Sequence, residues 1–418
     1  MPAATGSAAQ SRKKARSTRR ARRTNAPTRR TSSCTAASPS SSKASSTFFF
    51  GAAADSKRTT ATVAELEAKA RAWASGEALE AAMRAEGLAA TLCRTPAEWR
   101  ATEQGRIVAG LPPVCVEESA APVVSPRRTT LGLLKKSSKT PAEETSGRPP
   151  SRLLKRGVRP LSDVIVVDFS HVIASPMVGR TLAEHGATVF KIFADHRPRR
   201  KLFDEETNAA KIPLHVDLDE PADRAFLWQL VKVADVLVDG YTEGVLEQKL
   251  GFSEAALHAA CPDLVYCRVT CYGHVGPWAR FKGFQQNANF ATGVATVDDE
   301  ALLCYQLTSQ VDYATGFLGA AGVVLALIDR QHAALEGRRL GGLLTVRTSL
   351  CQAATWMARF DAALPTRLDF VRRVTRLLFG LGGRPVTDGN IRYLPPAVDM
   401  AATPATRAPG FRRWWHDA

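Results

Sequence analysis

The chain has 418 residues, 45% hydrophobic and 23% charged, enough for one large or two to three ordinary domains with a buried core. No run of consecutive apolar residues reaches the ~18 of a membrane span; the longest, Gly316 to Ile328, is shorter, so an integral membrane protein is not expected. The net charge of +16 is concentrated: residues 1–54 hold eleven Lys or Arg and no acid, residues 126–159 hold ten against Glu143 and Glu144, and the rest sums to −3. A nucleic-acid partner would need its basic stripe on a structured face, and none is expected here.

In chain order, residues 1–60 form a basic Ser- and Arg-rich leader that cannot bury enough apolar surface to offset chain entropy, and disorder is expected. Its composition suits an organellar transit peptide or a nuclear or RNA-binding tail. The expected location is intracellular, cytoplasmic or mitochondrial. Residues 61–125 read as a helical segment: Val63, Leu66, Ala70 and Trp73 recur at helical spacing, a second helix covers 79–86, and Thr95 caps a helix with Pro96 in its first turn. Residues 126–159 are a basic linker, also expected to be disordered.

The texture changes at Pro160. Strands are predicted over 163–169, 187–192, 213–216, 234–238, 264–270 and 341–349, with helices over 176–185, 221–233 and 350–360. Asp312 opens the longest apolar helix, reaching Ile328. This alternation over 160–360 predicts an α/β fold, an open, mostly parallel sheet flanked by helices, in which ligands bind beyond the carboxyl ends of the strands. Residues 361–418 read as an irregular tail. The eight cysteines, Cys34, Cys93, Cys115, Cys261, Cys267, Cys271, Cys304 and Cys351, form no C-x-x-C pair and no zinc spacing, so reduced thiols and no metal are expected. Walker-type, G-x-G-x-x-G and G-x-S-x-G sequences are absent, so no tightly bound cofactor is expected.

Six ordered blocks carry a more specific signal. Residues 160–192 (PLSDVIVVDFSHVIASPMVGRTLAEHGATVFKI) resemble the opening of the family III CoA-transferases, the CaiB/BaiF group, with their V-x-D, A-G-P and G-R-x-L-A-x-x-G-A-x-V-x-K elements. Asn208 to Lys211 with Asp217-Leu218 resembles N-R-G-K-R-S and the D-L after it. Residues 234–244 resemble A-D-V-x-(V/I)-x-N/G-(F/Y)-R-P-G. Residues 264–267 and 272–277 resemble the L-V-Y and the G-x-x-G-P blocks, and Val311-Asp312-Tyr313-Ala314-Thr315-Gly316 the D-x-x-T-G segment. Residues 92–105 and 393–404 are similar to stretches that flank this domain in longer, two-copy members, so the chain resembles the second half of such a member.

The resemblance implies transfer of CoA from an acyl-CoA thioester to an acceptor carboxylate, with CoA as substrate and a homodimer as the assembly. It makes Asp312 the nucleophile, through a mixed anhydride and an aspartyl-CoA thioester. Read by itself, an Asp at a helix start is as readily an N-cap. The resemblance also places Lys282, Lys211, His171, Val172 and Lys249 along CoA, whose phosphates call for cations; each by itself is an ordinary surface or loop residue. Departures are Ser175 for the Gly of A-G-P, Ala209 for the Arg of N-R-G-K-R, and Thr242-Glu243 for Arg-Pro. The glycine-rich loop of oxalate-type members has no counterpart, since Gly380 to Gly383 is too short, and the smaller second domain is expected to be largely missing after Phe360. Two rival functions follow: a catalytically silent member that keeps the fold and binds CoA or a partner, and an acyl-CoA racemase. Racemases carry G-H-D where this chain has Gly283-Phe284-Gln285, and Phe284 cannot act as a base.

Overall fold

The computed structural model describes residues 63–119, 159–194, 201–297, 300–301, 309–338, 340 and 342–359, with the backbone of 32–34, 386–388 and 391–393. Most of the leader, all of the 126–159 linker but Arg159, and most of the 361–418 tail lie outside the described residues. Within the leader, β1 (Ser32–Cys34) pairs antiparallel with β2 (Ala90–Leu92), so these three residues are strand and not disordered. The buried β2 has no other ladder partner among the described residues, and its open edge recruits one. Within the tail, Val386–Asp388 and Ile391–Tyr393 also pair antiparallel where an irregular segment was expected.

The Ala- and Glu-rich run splits into α1 (Val63–Arg71) and α2 (Gly76–Ala85). The break is set by Ser75, whose hydroxyl accepts from the Ala78 N–H and caps α2. Next come α3 (Pro96–Ala101) and α4 (Glu103–Ala109). The Thr95 hydroxyl accepts from the Glu98 N–H while the Glu98 carboxylate accepts from the Thr95 N–H, a reciprocal cap that fixes the start of α3.

Seven strands form the main sheet: β3 (Cys115–Glu118), β4 (Ile165–Phe169), β5 (Thr188–Ala194), β6 (Ile212–Val216), β7 (Val236–Asp239), β8 (Val265–Thr270) and, after the short pair β9 (Thr296–Val297) and β10 (Glu300–Ala301), β11 (Leu344–Ser349). Their order is β3-β11-β8-β7-β4-β5-β6. All neighbours are parallel except β3, which runs antiparallel to β11. The expected mostly parallel α/β sheet is what forms, with one strand more than predicted. β3 comes from the segment read as helical, because a half-exposed edge strand reading Cys-Val-Glu-Glu has no apolar run to betray it.

The helices between these strands are α5 (Ala174–Glu184), α6 (Lys201–Thr207), α7 (Pro221–Val233), α8 (Val245–Leu250), α9 (Glu254–Ala260), α10 (Gln285–Thr292), α11 (Gln310–Leu335) and α12 (Leu350–Met357). Alternate strand residues feed two cores, as the period of two requires. On one face Val166, Val236, Val265 and Val346 pack with Val178 of α5 and Val323 of α11. On the other, Val167, Leu237 and Tyr266 pack with Leu227, Leu246 and Leu257. Each such side chain contributes about 1.5–3 kcal/mol by leaving water.

α11 continues past Ile328 to Leu335, which the reading of apolar runs alone did not anticipate. At 26 residues it is long and apolar enough, by length and composition only, to cross a membrane. Here it packs on α5 and the sheet, and three glycines let it approach closely. A Cβ at Gly316 would lie 2.4 Å from Met177 Cβ and 2.7 Å from the Ala174 carbonyl; at Gly319, 2.8 Å from Val178; at Gly322, 2.6 Å from Val346. Gly316 meets the start of α5 and Gly319 its middle, so the two helices run the same way and begin at the same end of the sheet.

Candidate active site

The chain winds from β4 to β5 and β6 in one direction, then returns to place β7, β8 and β11 on the other side of β4. The crevice where strand order reverses therefore opens beyond the carboxyl ends of β4 and β7, the position at which open α/β sheets bind ligands. The two strand-end loops meet there. His171, two residues past β4, stacks on Tyr241, two residues past β7, with ring centroids 5.4 Å apart. It also meets the edge of Phe284 at 6.4 Å. Val172 beside it has φ +70°, a conformation that a β-branched residue adopts only under constraint, at a cost of about 1–3 kcal/mol. Its carbonyl accepts from the Thr207 hydroxyl at 3.3 Å. Across the crevice, a Cβ on Gly240 would fall 2.3 Å from Ser175 Oγ, so glycine is what lets β7 and the first turn of α5 come together.

Asp312 stands in the first turn of α11, one turn before Gly316 on the same helix face and hence beside the start of α5. It is not the N-cap: that position belongs to Ser309, with Asp312 three residues inside the helix. The Asp312 N–H, one of the first-turn donors without an intrahelical partner, donates to Gln285 Oε1 at 2.9 Å. The carboxyl is buried, at 7% exposure for the residue, and no hydrogen-bond donor among the described residues reaches it. Burial accordingly pushes its pKa up, to about 7.

A second buried aspartate on this face is treated differently. Burial would raise Asp168, but the ammonium groups of Lys191 and Lys211 outweigh it and hold the carboxyl below the usual range. Lys211 Nζ donates to Asp168 Oδ2 at 2.7 Å, to the Pro176 carbonyl at 2.7 Å and to Asn208 Oδ1 at 3.0 Å. Lys191 Nζ lies 3.6 Å from Asp168 Oδ1 and donates to the Ser170 hydroxyl at 2.9 Å. Burial in turn draws Lys211 down to about 8, with Asp168 opposing. All three Lys211 donors are spent inside the protein, where the side chain braces β4 against α5.

Lys282 is exposed three residues before Gln285, its ammonium 3.5 Å from where a Cβ of Gly87 would sit. Lys249 is exposed on α8 and pairs with Asp219 at 3.6 Å. The structure thus gathers Asp312, His171 and Val172 with Tyr241, Phe284 and Gln285 at the reversal point, with Lys282 on the adjoining loop and Lys211 beneath. Tyr241 and Gln285 were not singled out from the sequence; both sit inside quoted motif blocks, but nothing in their residue type marked them.

Glu243, which with Thr242 stands where the family motif has Arg-Pro, lies on the opposite face. With Asp239, Glu254, Tyr266 and Arg268 it lines a cavity of about 210 Å³. Arg268 forks between Glu243 and Glu254, and His274 bridges Glu243 at 3.1 Å and the Thr348 carbonyl at 3.0 Å. The extra negative charge is neutralised within the fold. Asp239 accepts from the Tyr241 N–H and the Tyr266 hydroxyl, yet burial raises it to about 6.

A family model described as CoA-transferase family III matches residues 161–374. Acetyl-coenzyme A transferase nodX of Hypoxylon pulicicidum is 31% identical over 209 residues, 48% of this chain and 34% of that protein. Succinate–glutarate CoA-transferase of Agrobacterium fabrum is 26% identical over 212 residues, 46% of this chain and 52% of that protein. Alpha-methylacyl-CoA racemase of Homo sapiens is 28% identical over 199 residues, 47% of this chain and 51% of that protein. The chain spans between a third and about half of the length of these relatives.

Proposed function

The chain belongs to CoA-transferase family III, and from that premise we propose that it moves CoA from an acyl-CoA thioester to an acceptor carboxylate with Asp312 as nucleophile. The observation that carries this reading is the Asp312 carboxyl, buried beside two helix starts without an internal partner among the described residues. An internal carboxylate not committed to the fold is what a covalent step needs.

In this scheme the Asp312 carboxylate attacks the thioester carbonyl and expels CoA as thiolate, giving a mixed anhydride. The thiolate then attacks the Asp312 carbonyl of that anhydride, releasing the donor acid as carboxylate and leaving an aspartyl-CoA thioester. The acceptor carboxylate attacks this thioester, and the freed thiolate attacks the acceptor carbonyl of the second anhydride. The product acyl-CoA leaves and Asp312 is a carboxylate again, with no net proton change. Gln285 fixes the helix start that bears Asp312, and the N-termini of α5 and α11 favour negative charge on the reacting oxygens. His171, Val172 and Lys282 would line the path of CoA. Lys249, whose ammonium is already near Asp219, would contribute least.

The racemase reading loses support because Phe284, in the crevice against His171, carries no proton to exchange. The test is turnover of a panel of acyl-CoA donors with free carboxylates, with hydroxylamine trapping of the acylated enzyme. Asp312→Asn is expected to lower transfer by about 10³-fold or more and to abolish the trapped adduct. CoA binding without turnover or adduct in the wild-type protein would point instead to a catalytically silent member.

A further inference from the structure

We propose that Gln104, which lies outside the region matched by the family model, is a positioning residue for the transferase site: its carboxamide clamps the 272–278 loop and thereby sets the segment bearing Lys282 and Gln285. The proposal rests on the reading of Asp312 given above. Gln104 is completely buried on α4. Its Nε2 donates to the Tyr272 carbonyl and to the Val275 carbonyl, each at 2.9 Å, and its Oε1 accepts from the Trp278 N–H at 2.9 Å. Both donors of the side-chain amide are thus used and its oxygen is engaged, all on main-chain groups of one loop.

That loop leaves β8 without a ladder partner for these groups among the described residues, and a side chain supplies one. Its path is tight. Gly273 and Gly276 have φ of +111° and +93°, and a Cβ on Gly276 would sit 2.5 Å from Gln104 Oε1. From the clamp the chain is tied at three points: the Phe281 N–H donates to the Trp278 carbonyl at 3.0 Å, the Cys271 thiol to the Phe284 carbonyl at 3.6 Å, and Gln285 then holds the Asp312 N–H. Arg84 of α2 supports the same stretch, its guanidinium 4.2 Å from the Trp278 ring and 4.7 Å from the Phe281 ring. A displacement at 278 is therefore passed to Lys282 and Gln285, and misplacement on the ångström scale is costly to a reacting geometry.

The experiment uses the full chain carrying Gln104→Leu, which keeps the bulk and removes all three hydrogen bonds, and Gln104→Glu, which keeps the acceptor for Trp278. Steady-state kinetics with an acyl-CoA donor are paired with hydrogen exchange resolved by segment. For Gln104→Leu the KM for the donor is expected to rise about tenfold, with faster exchange confined to 272–285 and Gln104→Glu intermediate in both. If Gln104→Leu does not fold, Gln104→Glu is read in its place. Unchanged KM with unchanged exchange at 272–285 in a folded variant overturns the proposal, and so does accelerated exchange spread over the whole sheet with KM unaltered. A wild-type protein that neither turns over donors nor binds CoA defeats the transferase reading instead, and exchange at 272–285 then decides the clamp alone.

Discussion

Asp168 and Asp312 are the same residue type, buried on the same face of one sheet and flanking the same helix, α5, yet their surroundings give them opposite character. Asp168 is enclosed by two lysines and a serine, and its charge is consumed in bracing β4. Asp312 has burial without a cation, and burial alone lifts it to about 7. The difference shows that burial by itself does not set how a carboxylate titrates; the presence or absence of an internal counter-charge does.

The contrast can be broken most severely at Asp168. Asp168→Ala leaves Lys191 and Lys211 buried without their carboxylate, and a loss of about 3–5 kcal/mol in urea unfolding is expected. A smaller but opposite effect is expected at Asp312. Its folded pKa is raised, so the folded state holds the proton more tightly than the unfolded chain. The stability this group contributes is complete below the ordinary carboxylate range and is lost as pH climbs toward 7. Asp312→Asn should therefore stabilise the fold at pH 8 by a few kcal/mol, on the order set by the shift, and leave it nearly unchanged at pH 4. Asp168 has the reverse sign: its contribution is complete above the ordinary range and disappears only as pH falls through its lowered value. Thermal unfolding of both variants across pH checks this pair. Gly240→Ala tests the crevice between them. Its Cβ would strike Ser175, and about 1–3 kcal/mol of destabilisation is expected in the same urea assay. The smallest effect is expected at Lys282, an exposed cation: Lys282→Gln should raise the KM for an acyl-CoA donor by about threefold, more at low salt than at high.

Much of this fold was legible because its strands are short apolar runs bounded by turns, and 165–169, 188–194 and 265–270 stand out on that ground. Pro221 at a helix start and Thr95 before Pro96 gave helix boundaries by local chemistry. What stayed hidden depends on partners distant in sequence. β3 is a strand only because β11 offers it an edge, and nothing in Cys115–Glu118 announces that. Lys211 looked like any cation in a motif; that it is buried against Asp168, 43 positions away, follows from the sheet and not from its neighbours. Asp312 was legible as a candidate from its motif, whereas the loop clamp by Gln104 has no local signature, since a glutamine on a short helix normally faces water.

The β3–β11 pairing also bears on how the molecule is made. The Glu117 carbonyl accepts from Thr345, 228 residues later in the chain. During synthesis the early strand must wait, unpaired, until almost the whole domain has emerged, and a waiting edge invites association with other nascent chains. Glu117 and Glu118 are both exposed on that edge, and charged side chains of this kind are what blunts an open strand edge.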